Sequence, residues 1–378
     1  MTKQTLRITT DRMTSSQSMS LITSTVIGVG VLTMPRTTTF YAAQQGWIAV
    51  FLGFFVSLAA VWMLTALFVR MQGQKFSDFV IDTLSSRRFP WLGQLLGIPF
   101  LLLYVAYWLL AVAMVARTFG EVVVTAVLVE TPLEVIVGSM LLVSLYLCFT
   151  KDVTVLRVNE FLFPLMVVPL LILGVLPFQN ANFTRLLPLV PVETKGILRA
   201  LMQTIFVYQG YEIILQFASC YSDKVRYMRA NLLGIGFVGL VYLLVEIAAI
   251  VAFGHEELQR LTWPLLELVK TVNVPGLVLE RAEAVFIGVW VAAVFTTAGN
   301  WYYAASRLIC DMFGVRKHSY VTLPLLPVLY LIAMHPRNQF DLFAALDKIS
   351  WLGLLIGVGI PLVLLGLTSL NWQRGSAR

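Results

Sequence analysis

The sequence predicts an all-α membrane protein of about ten spanning helices, arranged as two five-helix halves in inverted orientation. Of the 378 residues, 58% are hydrophobic and only 12% are charged, and the mean hydropathy is +0.83. Soluble domains carry about 25% charged residues, so lipid must solvate most of this chain. Apolar stretches of about 20 residues recur along it, and the first and sixth carry glycines at mid-membrane depth.

Stretches of bilayer-spanning length define the predicted segments. They fall near residues 18–41, 47–70, 97–127, 133–150, 154–176, 197–220, 228–254, 276–310, 321–335 and 346–370. We interpret residues 1–370 as a single transmembrane domain, with a first repeat at about 18–176 and a second at about 197–370. Residues 371–378 form a short cytoplasmic tail.

The distribution of positive charge predicts the orientation. With the N-terminus inside, 17 of the 27 lysines and arginines fall in inner loops and termini, which favours both termini in the cytoplasm. Lys3, Arg7 and Arg12 precede the first apolar stretch as in a signal peptide, but no small-x-small cleavage site follows. We therefore expect a retained first helix. The net charge of +7 reflects this orientation and does not indicate a nucleic-acid partner.

The interruptions of the first and sixth predicted helices are expected to form a ligand site. They are Gly28-Val29-Gly30 and Gln209-Gly210-Tyr211-Glu212. A broken helix exposes backbone groups that protein or a ligand must complete. The N-terminal end of the outer half-helix favours a carboxylate, and free carbonyls accept from an ammonium group, so an α-amino acid would fit. The alternative is close helix packing by small residues.

Several ionisable side chains fall within predicted spans, where each is costly and therefore a functional candidate. They are Arg117, Glu121, Glu160, Glu212 and Glu246. Arg117 and Glu121 share one helix face, so a structural pair and a gating or coupling role are both open. Glu212 follows the second interruption and is expected beside the site, whether it contacts ligand, binds a proton or pairs with a cation. Glu160 lies near the cytoplasmic end and is expected to be solvated.

Aromatic and hydroxyl side chains on the third and eighth predicted helices are candidate walls of the pocket. Tyr107 lies midway along helix three, and Thr296 and Thr297 lie midway along helix eight. These helices flank the broken pair in an inverted-repeat architecture. A packing or interhelical hydrogen-bonding role is the alternative for each of them.

Enzymatic and cofactor chemistry finds no support in the sequence. The three cysteines have no C-x-x-C spacing, and the three histidines fall in predicted loops without a paired nucleophile. Neither a P-loop nor a G-x-G-x-x-G motif is present. We therefore expect no catalytic residues, no metal and no cofactor.

A series of short motifs, in this order and spacing, resembles the endospore germination permeases. These are the B subunits of spore germinant receptors, a branch of the amino acid–polyamine–organocation superfamily. The motifs are Ile27 to Arg36, Gln209 to Glu212, Phe253-Gly254, Trp263-Pro264, Leu279-Glu280-Arg281, Trp290, Phe295-Thr296-Thr297 and Trp301 to Ala305.

The resemblance implies a LeuT-like fold and a nutrient sensor in the inner membrane of the spore, with both termini on the core side. It implies a small-molecule germinant, most simply an amino acid, and A-type and C-type subunits as partners. By position, Gly28 to Gly30 and Gln209 to Glu212 match the unwound segments, and Tyr107, Thr296 and Thr297 match pocket-lining helices. The set Arg36, Glu280 and Arg281 matches charged residues near the outer mouth, where gating or subunit contact is expected.

One departure concerns Gln209, which is polar where an apolar residue might stand, so the ligand preference is open. Two other functions share these sequence features. One is an amino-acid transporter coupled to protons or sodium, and the other is a structural or channel-forming membrane subunit without a ligand of its own.

Overall fold

The computed structural model describes residues 12–85, 91–188, 194–271 and 282–376. These ranges are helical and contain no strand. The α-helices are α1 (Ser15–Val26), α2 (Gly30–Ala42), α3 (Gly46–Met71), α4 (Phe76–Leu84), α5 (Trp91–Ala126), α6 (Leu133–Cys148), α7 (Asp152–Val175), α8 (Thr194–Val207), α9 (Tyr227–Phe253), α10 (His255–Arg260), α11 (Pro264–Lys270), α12 (Ala282–Phe313), α13 (Ser319–Met334), α14 (Gln339–Leu354) and α15 (Ile360–Ser376). The 3₁₀-helices are Ala43–Gln45, Leu176–Asn180, Phe183–Leu186 and Tyr211–Cys220, and Leu355–Gly359 is π-helical.

Six helical stretches of the described chain are long and apolar enough to cross a membrane. They are Gly30–Met71, Trp91–Ala126, Asp152–Gln179, Tyr227–Phe253, Val285–Phe313 and Gln339–Ser369. Two shorter apolar helices are α6 and α13. The prediction of a multi-pass, all-helical membrane protein is confirmed, whereas the count of ten spanning helices stays a prediction.

Two interruptions divide helices of the described chain. The first separates α1 from α2 at residues 27–29, and the second separates α8 from the 3₁₀-helix Tyr211–Cys220 at residues 208–210. The start of α1 is well defined by a capping box, in which Thr14 Oγ1 accepts from the Gln17 N–H at 3.2 Å and Gln17 Oε1 accepts from the Thr14 N–H at 3.1 Å. No comparable cap lies at the start of α2.

Long helices surround the interrupted pairs. Helix α12 packs on α1, α5, α6 and α7, while α9 packs on α1 and α3. Helix α8 packs on α2, α3 and α14. Large aromatic side chains fill the space between them, including the fully buried Trp108, Tyr107 and Tyr208. This packing places both interruptions at the centre of the helix bundle.

Candidate functional site

The first interruption is shaped by two glycines at positions of very close helix approach. A β-carbon added at Gly28 would lie 2.7 Å from Thr297 Oγ1 on α12, and one added at Gly30 would lie 2.8 Å from Val207 Cγ1 on α8. Both distances are shorter than real β-carbon contacts allow. Glycine at these positions therefore lets α8 and α12 meet the backbone of the break.

Side chains of neighbouring helices reach the carbonyl groups that the end of α1 leaves without helical partners. The hydroxyl of Tyr242 donates to Val26 O at 2.8 Å. Thr296 Oγ1 lies 3.0 Å from Ser24 O and 2.8 Å from Ala293 O of its own helix. Thr297 Oγ1 lies 3.1 Å from Thr25 O and 3.0 Å from Ala293 O. Both threonine hydroxyls therefore lie within hydrogen-bonding distance of the carbonyls at the end of α1.

A buried amide pair, which the sequence analysis did not predict, also ties the end of α1 to its neighbours. Ser24 Oγ lies 2.5 Å from Asn159 Oδ1, and Asn300 Nδ2 donates to Thr25 Oγ1 at 2.7 Å and to Asn159 Oδ1 at 2.8 Å. The available signal was the position of both asparagines inside apolar stretches, where polar side chains commonly join helices.

The second interruption requires a glycine for its backbone conformation. Gly210 has a φ of +123°, and an added β-carbon would lie 3.0 Å from Thr25 O. Glu212, which is 1% exposed, accepts from the Gly210 N–H at 2.9 Å. Its other oxygen accepts from the indole N–H groups of Trp301 at 2.9 Å and Trp108 at 3.2 Å. Glu212 therefore joins this interruption to α5 and α12.

A cavity opens beside the two interruptions. The volume open to water inside it is about 90 Å³, and the total empty volume, including the open mouth, is about 850 Å³. Such a volume holds several waters, and therefore a ligand with a small number of heavy atoms. Residues from both interruptions, α2, α5, α8, α12 and α14 line it: Val26, Gly28, Val29, Gly30, Thr33, Thr37, Ala111, Met114, Val115, Thr118, Gln203, Phe206, Val207, Gln209, Thr297, Trp301, Phe343, Leu346, Asp347, Ile349 and Ser350.

The predicted site residues divide into two layers around this cavity. The residues that line it are Gly28, Val29, Gly30, Gln209 and Thr297. The residues that lie behind this lining are Tyr107, Gly210, Tyr211, Glu212 and Thr296. Tyr107 contacts the lining directly, because its hydroxyl donates to Gln209 Oε1 at 2.5 Å.

The sequence analysis did not predict the contribution of α14 or of Trp301 as wall residues. Trp301 lay within an aromatic motif, but nothing in the sequence shows that its ring borders a cavity and that its N–H reaches Glu212. Asp347 and Ser350 lie on α14, and an inverted repeat does not by itself predict that this helix lies near the interruptions. Asp347 is exposed and is the one charged residue on this part of the lining.

Two of the predicted coupling residues, Arg117 and Glu121, do not line the cavity. Arg117 and Glu121 form an ion pair with Nη2 and Oε1 2.8 Å apart, and Arg117 also donates to Ala333 O at 3.3 Å. Gln339 Nε2 lies 3.5 Å from the other oxygen of Glu121. The pair thus links α5 to the end of α13 and the start of α14.

The predicted outer charged set falls partly outside the described residues. The guanidinium of Arg36 stands 5.2 Å from the centre of the Phe343 ring, which is itself on the cavity wall. Glu280 and Arg281 lie outside the described residues. Glu160, expected to be solvated, is half-buried and accepts from Gln17 Nε2 at 3.1 Å.

The fold is shared with solved membrane transporters. The chain superposes on the structure of MhsT in complex with L-phenylalanine with a TM-score of 0.64, covering 93% of this chain and 88% of that one at 14% identity. It superposes on Mhp1, a nucleobase-cation-symport-1 family transporter, with a TM-score of 0.65, covering 94% and 78% at 12% identity. The fold is that of the LeuT-like transporters, as predicted.

The chain belongs to the spore permease family of spore germination proteins, whose family model matches residues 12–342. It is 27% identical over 366 residues to spore germination protein YndE of Bacillus subtilis (strain 168), covering 97% of this chain and 98% of that one. It is 24% identical over 362 residues to spore germination protein GerLB of Bacillus cereus, covering 94% and 93%. The family is permease-like, which confirms that the chain is not an enzyme.

Proposed function

We propose that the chain is the permease-like subunit of a spore germinant receptor and binds a small nutrient, an amino acid, in the cavity between the two interruptions. Membership of a family of spore germination proteins supports the germination role. The small volume of the cavity and its position at both helix breaks support a ligand of amino-acid size. The bound state would act on A-type and C-type partner subunits in the inner membrane of the spore.

The observation that carries the proposed site is an unpartnered donor on its lining. Gln209 is 3% exposed, and its Oε1 accepts from Tyr107, yet its Nε2 has no hydrogen-bond partner. A buried donor without a partner costs about 1–3 kcal/mol. An acceptor oxygen on a ligand, such as one of a carboxylate, would remove that cost. The uncapped start of α2 on the same lining adds N–H groups that favour a negative group.

The remaining lining suits the rest of an amino acid. Met114, Phe206 and Trp301 form apolar walls that fit an aliphatic or aromatic side chain. The exposed carboxylate of Asp347 at the mouth is a partner for an ammonium group. Binding would trigger a response only if the ligand favours one arrangement of the half-helices over another.

Direct binding to the purified chain tests this proposal. Radiolabelled amino acids are titrated onto wild type, Gln209→Leu, Gly28→Leu and a matched control, Gly236→Leu, where an added side chain meets open space. We expect saturable binding of one amino acid. Gln209→Leu should raise its Kd about 10- to 100-fold, as expected for loss of a hydrogen bond to a charged group. Gly28→Leu should abolish binding, and Gly236→Leu should leave it unchanged. Equal affinity of folded Gln209→Leu and wild type would contradict the site.

A transporter is the second candidate, because the fold matches transporters over more than nine-tenths of this chain. Uphill uptake of the bound amino acid into liposomes under a proton or sodium gradient, lost in Glu212→Gln, would favour transport. Binding without uptake would favour sensing. If the chain neither binds nor takes up an amino acid, and only substitutions at subunit contacts alter the spore response, a structural or channel-forming subunit is favoured.

A further inference from the structure

A fully buried carboxyl group lies away from the cavity, where α9 meets α2. Glu246 is 0% exposed, and its Oε1 lies 2.6 Å from Oγ1 of the equally buried Thr38. Its Oε2 has no hydrogen-bond partner. None of the ion pairs among the described residues includes Glu246. A carboxylate in this position would be a charge buried with a single polar neighbour, which is among the most costly arrangements in a membrane.

The surroundings of the Thr38 hydroxyl indicate where a proton lies. Its Oγ1 is also 3.0 Å from Met34 O, the carbonyl four residues back to which threonine hydroxyls in helices commonly donate. Thr37 and Thr39 make the same kind of contact on this helix. A hydroxyl carries one proton and can donate only once. If Thr38 donates to Met34, the 2.6 Å contact requires a proton from Glu246.

A comparison with the other fully buried carboxyl group of the interruptions supports this assignment. Glu212 receives three N–H donors, from Gly210, Trp108 and Trp301, so both of its oxygens act as acceptors. Glu246 receives no N–H donor and has one unpartnered oxygen. The surroundings of Glu246 therefore offer an ionised carboxyl group far fewer donors than those of Glu212 do.

Close packing favours a proton over a metal cation at Glu246. A β-carbon added at Gly46, the first residue of α3, would lie 2.7 Å from Glu246 Oε1 and 2.9 Å from Thr38 Oγ1. The start of α3 therefore covers the carboxyl group at contact distance. A hydrated cation needs several oxygen ligands and more room than this contact leaves.

Other titratable and charged groups on the elements around α9 are engaged elsewhere or lie apart. The hydroxyls of Tyr208 and Tyr242 bond to Val50 O and Val26 O. Arg36 stacks on Phe343, and Arg185 donates to the carbonyls of Val251 and Ala252. Helices α10 and α11 carry charged or titratable groups that are exposed or half-exposed: His255, Glu256, Glu257, Arg260, Glu267 and Lys270.

The elements that reach the opposite end of α9 add no cation near Glu246. Arg70 is 24 residues beyond Gly46 along α3, or about 36 Å. It donates to Leu365 O and Thr368 Oγ1. The charged residues of α7 are Asp152, Arg157 and Glu160, and Glu160 meets Gln17 at the first turn of α1. Helix α1 itself carries no charged residue.

We propose that Glu246 is a proton-binding site, and that its proton must be in place for α2 to pack on α9 as it does here. Helix α2 also supplies Gly30, Thr33 and Thr37 to the cavity lining, and Thr38 follows immediately. Loss of the proton would therefore act on one wall of the cavity. The proton site itself does not depend on the identity of the ligand or on the proposed receptor role.

Infrared difference spectroscopy of the full chain in lipid nanodiscs tests the site without any ligand. The spectrum of Glu246→Gln is subtracted from that of wild type, with Glu160→Gln as the matched control at the other end of the bundle. We expect a protonated carboxyl C=O band at neutral pH that is lost in Glu246→Gln, kept in Glu160→Gln, and lost from wild type at alkaline pH. Thr38→Val keeps the carboxyl group and should shift the band.

Thermal stability as a function of pH provides an independent check that the folded chain holds this proton. Because the folded chain holds a proton that the unfolded chain releases at neutral pH, wild-type stability should fall as the pH rises and Glu246 ionises. Glu246→Gln should lack this fall. The inference is overturned if no protonated band is lost in Glu246→Gln and none shifts in Thr38→Val. A carboxylate band that responds to exchange of sodium for potassium would also overturn it, in favour of a cation site.

Discussion

At the scale of single residues, the broken first helix depends on the absence of side chains as much as on their presence. Gly28 and Gly30 stand where α12 and α8 approach the backbone most closely, and the hydroxyls of Thr296 and Thr297 lie within hydrogen-bonding distance of the carbonyls nearby. The same threonines were expected to line the pocket. Thr297 does so, and Thr296 lies behind it.

Substitution of Gly28 by alanine tests this close approach. The added β-carbon, 2.7 Å from Thr297 Oγ1, forces α12 or the break to shift, and we expect a loss of about 1–3 kcal/mol in stability. Gly236→Ala, which meets open space on α9, should be neutral or stabilising by up to about 1 kcal/mol. Thermal melts in one detergent measure both variants. In a Thr297→Ala background, which removes the clashing hydroxyl, Gly28→Ala should cost clearly less than in wild type, and an equal cost in both backgrounds would place the strain elsewhere.

At the scale of the helices, Arg117 and Glu121 join three elements rather than two positions on one helix. The side chain of Arg117 is only 4% exposed, and its Nη1 donates to Ala333 O in the last turn of α13. The sequence left two roles open for these residues, a structural pair and a gating or coupling role. The structure adds their link to α14, which forms one wall of the cavity. The structural pairing is therefore observed, and a coupling role remains a prediction.

Removing one partner of this pair should cost far more than removing both. Glu121→Gln leaves a buried guanidinium without its counter-charge, at about 3–5 kcal/mol, whereas Arg117→Met combined with Glu121→Leu should be close to neutral. The exposed pair of Lys270 and Glu267 is the matched control, and Glu267→Gln should cost less than about 1 kcal/mol. Melting temperatures of the three variants decide the point. A double variant as unstable as the single would show that packing, not charge, governs the contact.

At the scale of the whole molecule, the direction in which the bundle sits in the membrane is still a prediction from charge. Lys and Arg counts place both termini inside, and the start of α14, with the cavity mouth near Asp347, then faces outward. This orientation determines which compartment supplies the ligand. A nutrient sensor requires the mouth to face the side from which the nutrient arrives.

Cysteine labelling of intact cells checks the orientation. A membrane-impermeant maleimide should label Glu130→Cys, in the exposed loop between α5 and α6, without permeabilisation. Thr2→Cys and Ala377→Cys, near the two termini, should react only after permeabilisation. The native cysteines of the described chain are buried, so the background is expected to be low. Labelling of either terminus in intact cells would reverse the predicted orientation.

The sequence by itself determined that lipid solvates most of the chain and that the chain is helical. Hydropathy over 20-residue stretches depends only on composition, and lipid leaves helices as the simplest way to satisfy the backbone. Glycines within those stretches likewise predict breaks from the local sequence alone. The helix count and the membrane orientation rest on the same patterns and remain predictions.

Only the tertiary structure decided which side chains surround the cavity and which groups remain without a partner. Trp301 and Asp347 reach the lining through helices distant in sequence from the interruptions. Gln209 Nε2 and Glu246 Oε2 have no hydrogen-bond partner because the helices packed around them place no complementary group within reach. Such unpaired groups result from contacts between residues far apart in the chain, and one sequence without its packing does not reveal them.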